Sequence, residues 1–311
     1  MHELINYFKV YIFIIFSGNH YSFLIALFAI VVFIEFSYYL LLVLSALKYF
    51  YDKFNNKIKV KYFPRVSAII PCYSEGWDVE MSIGSFAEQI YPGVIEIIPV
   101  IDGAKQNYDT LVAVRVAAKK YANLVNRKII IIPKYMRGGR VSSLNTALKF
   151  ATGEIIMIVD ADTSLDNQAV ANGARRFYDK SVAAVAGALR VRNSVNLVTK
   201  LQSIEYLIGI VLLRVGMSGY NSVNVISGAF GFFRRSVLER IGGPRTGTSD
   251  DLDTTVRIQS LFAKYKLKTL HSPESMGHTA VPDTWSELFK QRFQWDSDWF
   301  YIVIKRYIRY I

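Results

Sequence analysis

Ile155–Asp162 reads I-I-M-I-V-D-A-D, and the fold follows from how these residues are taken. A short apolar run rich in β-branched side chains predicts a buried central strand. Asp160 and Asp162 then stand at its C-terminal end, where ligands bind in open α/β sheets. A spacing of two can turn both carboxylates to one side of an extended chain. That is a place for a divalent cation carrying a diphosphate. Carboxylates in the loop after a strand are also common, and these residues alone leave both readings open.

Working outward, a βα alternation begins at Val66. Val66–Cys72 reads as a strand, Asp78–Gln89 as a helix and Val94–Ile101 as a strand ending at Asp102. Asp109–Ala122 reads as a helix with a basic outer face, Lys128–Pro133 as a strand and Val141–Ala151 as a helix. This order predicts an α/β fold, a mostly parallel sheet covered by helices. Tyr73 and Glu75 follow the first strand, Asp102 the second, and Asp160 and Asp162 the fourth. Carboxylates at three of four strand ends suit a nucleotide pocket at the sheet's carboxyl edge. Arg137-Gly138-Gly139-Arg140, ahead of a helix expected near Ser142, is a phosphate cradle or an ordinary turn.

Farther on, Val182–Ala188 reads as a strand. Leu197–Val215 reads as a long apolar helix interrupted by Lys200, Glu205 and Arg214, either buried or lying at a membrane interface. Val225–Arg235 reads as a strand whose S-G-A-F-G turn allows close backbone approach to a ligand. In Thr248-Ser249-Asp250-Asp251, Thr248 or Ser249 can cap a helix running to about Ala263, with acids complementing its dipole. A carboxylate there is equally placed to take a proton from a hydroxyl. Adjacent helical residues do not share a face, so one of Asp250 and Asp251 is expected in a site. Lys290–Trp295, after a helix expected from Asp283, mixes amide, cation and indole groups suited to a sugar ring. His271 and His278 lack neighbours at metal-ligand spacing and read as structural.

The remainder of the 311 residues sets the surroundings. Hydrophobic residues make up 52%, which points to membrane contact, and the net charge is +12, which suits anionic lipid, phosphorylated substrates or nucleic acid. Cys72 is the one cysteine, so an intrachain disulfide and a thiolate metal cluster are both excluded. Tyr21–Leu47 contains one charge, Glu35, and as a helix would span ~40 Å, enough for a ~30 Å hydrocarbon core. Tyr7–Phe16 is shorter and reads as interfacial. Lysines and Arg65 crowd the C-terminal flank, so the remainder is expected in the cytosol. The domains expected are an anchor over 1–50, a basic linker over 51–65, a catalytic domain over 66–298 and an amphipathic basic tail over 299–311.

From Val66 to about Trp299 the chain resembles family 2 glycosyltransferases of the GT-A fold, in the membrane-bound polysaccharide synthase branch. The words that carry the likeness are I-I-P-C-Y-S-E (Ile69–Glu75), V-I-D-G (Val100–Gly103) and G-G-R-V-S-S-L-N (Gly138–Asn145). They continue with D-A-D, S-G-A-F-G-F-F-R-R (Ser227–Arg235), S-D-D (Ser249–Asp251) and Q-R-F-Q-W (Gln291–Trp295). The resemblance implies that Tyr73, Glu75 and Asp102 hold base and ribose, that Asp160 and Arg140 bind the sugar nucleotide, and that Asp162 ligates Mg²⁺ or Mn²⁺. It makes Asp251 the general base, with Asp250 where the family has glutamate. Gln291, Arg292 and Trp295 would line the acceptor and diphosphate side.

Three departures stand out. Gln294 occupies the place of an arginine that meets the diphosphate. Arg140 stands where lysine is common. The chain ends at Ile311, before the further membrane helices of synthases with their own export channel, so it is either truncated or lacks a pore of its own. The expected function is transfer from a nucleotide-diphosphate sugar, UDP-linked, to a glycan or lipid-linked acceptor at the membrane. The alternative is a catalytically silent sugar-nucleotide-binding subunit of an envelope assembly complex. Nucleic acid is not an expected partner, because acidic residues interleave with the basic ones.

Overall fold

Val66–Cys72 and Ile95–Asp102 form strands β1 and β2, buried at every residue and paired in parallel. β2 also pairs with two short strands, β3 (Arg127–Ile129) and β4 (Ile132–Lys134), so the expected strand Lys128–Pro133 is broken at Ile130 and Ile131. On its other side β1 pairs with β5 (Ile155–Val159), also in parallel. Tyr73, Asp102, Lys134 and Asp160 therefore emerge at one edge. The computed structural model describes residues 20–55, 60–245 and 249–302, with residues 9, 10, 13 and 304 besides. Thr248, most of Tyr7–Phe16 and most of the tail lie outside the described residues.

Past β5 the sheet changes character. Strands β6 (Ser164–Leu165), β7 (Val182–Val191), β8 (Phe230–Arg234) and β9 (Lys268–Thr279) complete the order β3-β2-β1-β5-β8-β7-β9-β6. β8 runs antiparallel to β5 and β7, β6 is antiparallel to β9, and β7 and β9 are parallel. The parallel half is the one the βα alternation predicts; the other half is mixed. The turn in Val225–Arg235 occupies more of that stretch than expected and leaves only five residues of strand.

The helices described here are α1 (His20–Asn55), α2 (Asp78–Ala87), α3 (Tyr108–Lys120), α4 (Gly139–Leu148), α5 (Leu197–Tyr206), α6 (Arg214–Gly219), α7 (Asp250–Gln259) and α8 (Trp285–Phe300). Alternate strand residues separate two cores. Ile70, Ile97 and Met157 pack with Val79, Phe86 and Val114 of α2 and α3. Ile69, Ile98 and Ile156 pack with Leu144, Ala147 and Ile258 of α4 and α7. Full burial of each such side chain is worth roughly 1.5–3 kcal/mol.

α1 is 36 residues long, about 54 Å at helical rise. Among the described residues two stretches are long and apolar enough to cross a membrane, Leu27–Asn55 within α1 and Leu197–Gly219. The C-terminal half of α1 docks on the domain. Leu42 and Ala46 are buried, and Ser45 Oγ donates to Gly216 O at 3.0 Å. A Cβ on Gly216 would meet the Leu42 carbonyl oxygen at 2.2 Å, so glycine is what lets α1 and α6 cross this closely.

One turn on, Lys53 Nζ and Tyr49 OH reach Glu274 Oε1 of β9 at 2.5 and 2.7 Å, and Arg176 reaches Oε2 at 3.1 Å. Burial opposes ionisation of Glu274. Hydrogen bonds from Lys53 and Tyr49 and the charge of Arg176 outweigh it and hold the carboxyl down at about 2.

α5 begins at an Asn196 cap whose side chain accepts from Thr199 N. Val198, Gln202 and Tyr206 are buried, while Leu197, Leu201, Ile204 and Ile208 are exposed. One face of this helix is thus buried in the domain, as the first expectation has it, and the opposite face is exposed and apolar. Between α5 and α6 the backbone is π-helical over Leu207–Leu213.

Candidate active site

The sheet edge gathers the sequence-singled residues in order. After β1, Ser74 and Gly76 take positive φ, bending the chain so that Tyr73 and Glu75 flank the turn. The Arg137 guanidinium lies over the Tyr73 ring at 4.1 Å. Glu75 Oε2 is buried with no partner. Burial pushes the Glu75 carboxyl up, and the charges of Asp162 and Asp160 add to that.

Asp102, at the end of β2, is buried and fully engaged. It accepts from Lys134 Nζ at 2.7 Å, Gly138 N at 2.9 Å and Gly139 N at 2.8 Å. Burial raises the cost of its charge, but Lys134 and the two amides overcome this and hold the carboxyl below its usual range. Asp102 therefore fixes the glycine turn that starts α4. That helix begins at Gly139 rather than near Ser142, and Gly139 has φ 78°.

Arg140, in the first turn of α4, is the centre of the site. Its Nη1 donates to Asp160 Oδ1 at 2.5 Å, its Nη2 to Gly228 O at 2.7 Å, and its Nε lies 3.4 Å from Asp250 Oδ1. One guanidinium thus joins the end of β5, the S-G-A-F-G turn and the start of α7. Burial disfavours this cation, but Asp160 and Asp250 more than compensate and keep it protonated. Gly228 also donates its N–H to Asp251 Oδ2 at 3.1 Å. A Cβ on Gly228 would meet Arg140 Nη2 at 3.0 Å and Asp251 Cβ at 3.5 Å. The glycine turn is therefore shaped for contacts within the protein. Burial and the neighbouring Asp251 and Asp160 push the Asp250 carboxyl up, against the pull of Arg140.

Ser249 precedes α7 in the left-handed region, φ 49°, and makes no side-chain cap bond. The capping expectation is therefore not met at Ser249, and its alternative, Thr248, lies outside the described residues. α7 also ends at Gln259, short of Ala263. Both Asp250 and Asp251 face the cleft, Asp250 through Arg140 and Asp251 through Gly228.

Asp162 lies two residues from Asp160, and Arg192 Nη1 donates to its backbone oxygen at 3.1 Å. Burial and then the Asp160 charge push the Asp162 carboxyl up. α8 begins at Trp285, capped by Thr284, rather than at Asp283, and it runs on through Lys290–Trp295, which lie within the helix rather than after it. Gln291 Oε1 is buried without a partner. Arg292 pairs with Glu205 of α5 at 2.7 Å and stacks over the Trp295 ring at 4.4 Å. Gln294 is exposed. His271 is a buried residue of β9, and His278 bonds Asp166 at 2.8 Å.

Two further cations stand outside the motifs. Lys134 sits at the end of a short strand directly before the glycine turn, a position that carried the signal. Arg214 is a lone charge in the apolar run I-V-L-L-R-V-G-M, and its Nη1 is buried without a partner.

Divalent cations fit this edge as ligand-assisted guests. Among the described residues no three His, Cys, Asp or Glu side chains converge as a self-sufficient metal site. Asp162 and the orphaned Glu75 oxygen supply hard donors, and magnesium is held by one or two carboxylates with phosphate oxygens completing its shell.

Comparison with known proteins agrees with this geometry. The poly-beta-1,6-N-acetyl-D-glucosamine synthase of Staphylococcus epidermidis is 28% identical over 261 residues, 81% of this chain and 60% of that protein. The enzyme of the same name from Staphylococcus aureus is 29% identical over 241 residues, 76% of this chain and 55% of the other. The chain thus spans under two thirds of the length of these curated relatives. Among solved structures, a mannosyltransferase from Pyrobaculum calidifontis in complex with GDP-Man and Mn²⁺ superposes with a TM-score of 0.61 at 26% identity, covering 83% of this chain and 71% of that one. The profile described as Glycosyl transferase family 2 matches residues 67–242, more than half of the chain, and the protein belongs to that family.

Proposed function

We propose that the protein is a membrane-anchored inverting glycosyltransferase that moves a sugar from a UDP-linked donor to a glycan or lipid-linked acceptor, with Asp251 as general base. The observation that carries this reading is Arg140. It draws Asp160 and Asp250 onto one guanidinium from positions 90 residues apart, with Asp251 beside them on Gly228. Tyr73, Glu75 and the turn fixed by Asp102 would receive the nucleoside, with Arg137 over the ring. Arg140 is committed to its carboxylates, so its part is to organise the cleft rather than to grip phosphate.

Asp251 accepts one amide hydrogen bond on each oxygen, from Gly228 N on Oδ2 at 3.1 Å and from Leu252 N on Oδ1 at 2.8 Å, which leaves a lone pair on each. Such a carboxylate can take the acceptor hydroxyl's proton as that oxygen attacks the anomeric carbon, which is worth roughly 10²–10⁴ in rate. A single in-line displacement inverts that carbon. Mg²⁺ or Mn²⁺, held by Asp162 with Glu75 near, would supply charge neutralisation for the departing diphosphate. Gln291, Arg292 and Trp295 line the side toward α5 and offer an amide and a stacking surface to the acceptor. The first residues of α1 would lie in the bilayer, with the basic flank and the catalytic domain in the cytosol.

The test is a panel of radiolabelled UDP- and GDP-sugars offered to membranes carrying the full chain, with Mn²⁺ or EDTA. Transfer that needs the metal and falls at least 100-fold in Asp251→Asn, with donor binding kept, is the expected result. Donor binding without turnover in the native protein would instead identify a silent sugar-nucleotide-binding subunit. Full activity of Asp251→Asn would remove the base assignment.

A further inference from the structure

The joint between α1 and the catalytic domain holds more positive charge than it neutralises. Lys53 Nζ lies 2.5 Å from Glu274 Oε1, and the Nη2 atoms of Arg176 and Arg175 lie 3.1 and 4.0 Å from Oε2. Among the described residues no second carboxylate pairs with any of these three cations. One carboxylate shared by three cations leaves a surplus of two positive charges. The surplus is accessible, because the side chains of Lys53 and Arg175 are 48% and 36% exposed. Arg176 Nε is buried and has no hydrogen-bond partner. Elsewhere on this end of α1, Lys48 and Asp52 are both exposed and stand four residues apart, a spacing at which their charges offset each other.

The level of this joint along α1 is set by the packing beside it. Leu42 and Ala46 are buried, and Ser45 Oγ donates to Gly216 O at 3.0 Å, so α1 cannot slide along the domain. The apolar run of α1 ends at Leu47. At helical rise Tyr49 and Lys53 lie about 3 and 9 Å beyond it. The polar layer of a bilayer extends roughly 5–7 Å beyond the hydrocarbon core, within reach of lysine and arginine side chains at that level. The three cations therefore stand where lipid phosphates lie. Glu274 also borders an open cavity of about 560 Å³, lined by Asn167, Gln168, Asn172 and Asp166. Asp166 is bonded to His278, and the three amides suit the hydroxyl groups of a lipid headgroup.

We propose that Lys53, Arg175 and Arg176 bind the phosphate of an anionic membrane lipid at the level where α1 leaves the bilayer. The inference rests on the reading above that α1 lies in the bilayer. The phosphate oxygens accept from the exposed sides of Arg175 and Lys53, in charge-assisted hydrogen bonds of the strong kind. Cations just beyond a membrane helix attract anionic lipid in the same way. The lipid thus supplies the negative charge that the joint lacks, and α1 is held to the domain more firmly in a membrane that contains it.

The full chain in neutral detergent is titrated with phosphatidylglycerol, phosphatidylcholine or inorganic phosphate while its melting temperature is followed. Phosphatidylglycerol is expected to raise it by at least about 3 °C more than phosphatidylcholine, as a ligand of the folded state does, and millimolar inorganic phosphate to leave it unchanged. In Arg175→Gln the increment should fall by at least half, and Arg175→Lys should keep most of it. Arg115→Gln, the same loss of charge at an exposed position of α3, should keep all of it. Equal increments from the two lipids, or an undiminished one in Arg175→Gln, would overturn the proposal. The same increment from inorganic phosphate would overturn the lipid assignment and make this a site for soluble phosphate. Should Arg175→Gln fail to fold, native mass spectrometry of the native chain decides: phosphatidylglycerol retained in preference to phosphatidylcholine is expected, and no preference overturns the proposal. Release of the native chain from membranes by alkaline carbonate alone would refute the span of α1, and the titration would still decide whether the three cations bind phosphatidylglycerol.

Discussion

Replacing Glu274 by glutamine should loosen the joint between α1 and the catalytic domain, in a pH-dependent way. In the folded protein this carboxyl is held at about 2, against 4.5 ordinarily. Its side chain is 14% exposed, so solvent screening takes little from the interaction. The folded value is the depressed one. The stabilisation is therefore complete above about pH 4.5 and is lost as the pH falls toward 2. At neutral pH the difference corresponds to about 3 kcal/mol, and by linkage about 1.4 kcal/mol remains at pH 3. For a domain of this size that is a gap of roughly 6–12 °C in melting temperature at pH 7 between native protein and Glu274→Gln. The assay is thermal unfolding in detergent followed at pH 7, 4 and 3. The gap should shrink by more than half at pH 3, because the carboxyl is then protonated in the unfolded chain while still mostly ionised in the folded one, so folding must release that proton. A gap that is absent at pH 7, or unchanged at pH 3, would refute the reasoning.

Two further outcomes follow from contacts elsewhere. Asp102→Ala frees Lys134 and the Gly138–Gly139 amides, each a charge-assisted bond; nucleotide titration should show donor affinity falling about 10–100-fold, in line with a loss of about 1.5–3 kcal/mol. Gly216→Ala places a methyl 2.2 Å from the Leu42 carbonyl oxygen, so α1 must lift from α6; overpacking of about 1–3 kcal/mol should appear as a lower melting temperature and faster proteolysis near residue 55.

What could be read in advance was local. β1, β2 and β5 are apolar runs followed by polar groups, and the strand ends fall where the pattern put them. β9 escaped because K-T-L-H-S-P-E-S-M-G-H-T carries proline, glycine and few apolar residues. It survives as a strand through a register shift between Gly187 and Ala188 of β7, which skips residues 273–275. The roles of Asp102 and Arg140 were hidden for a different reason. Motif order places both at the nucleotide edge, but only tertiary contact reveals that their charges are already satisfied within the protein. Asp250 and Asp251 both enter the cleft, contrary to the one-face expectation, because they sit at the start of α7. There each meets a separate element, α4 or the Gly228 turn, instead of a shared helix face.

The charge balance of the cleft bears on how a donor enters it. Glu75, Asp160, Asp162, Asp250 and Asp251 gather around Arg140, with Arg192 beside Asp162 and Arg137 over Tyr73, and three of the five carboxyls are pushed up. That upward push in Glu75, Asp162 and Asp250 has burial as its first cause and mutual repulsion next, which marks a site short of positive charge. A nucleotide diphosphate adds at least two negative charges. Two unit charges 4 Å apart at an effective dielectric near 20 repel by about 4 kcal/mol, so a donor entering alone would be opposed. Arg140 cannot relieve this without releasing Asp160 and Asp250. On the proposed function the counter-charge must arrive with the donor. The proposed requirement for a divalent ion fits an edge whose central arginine is already engaged by two carboxylates.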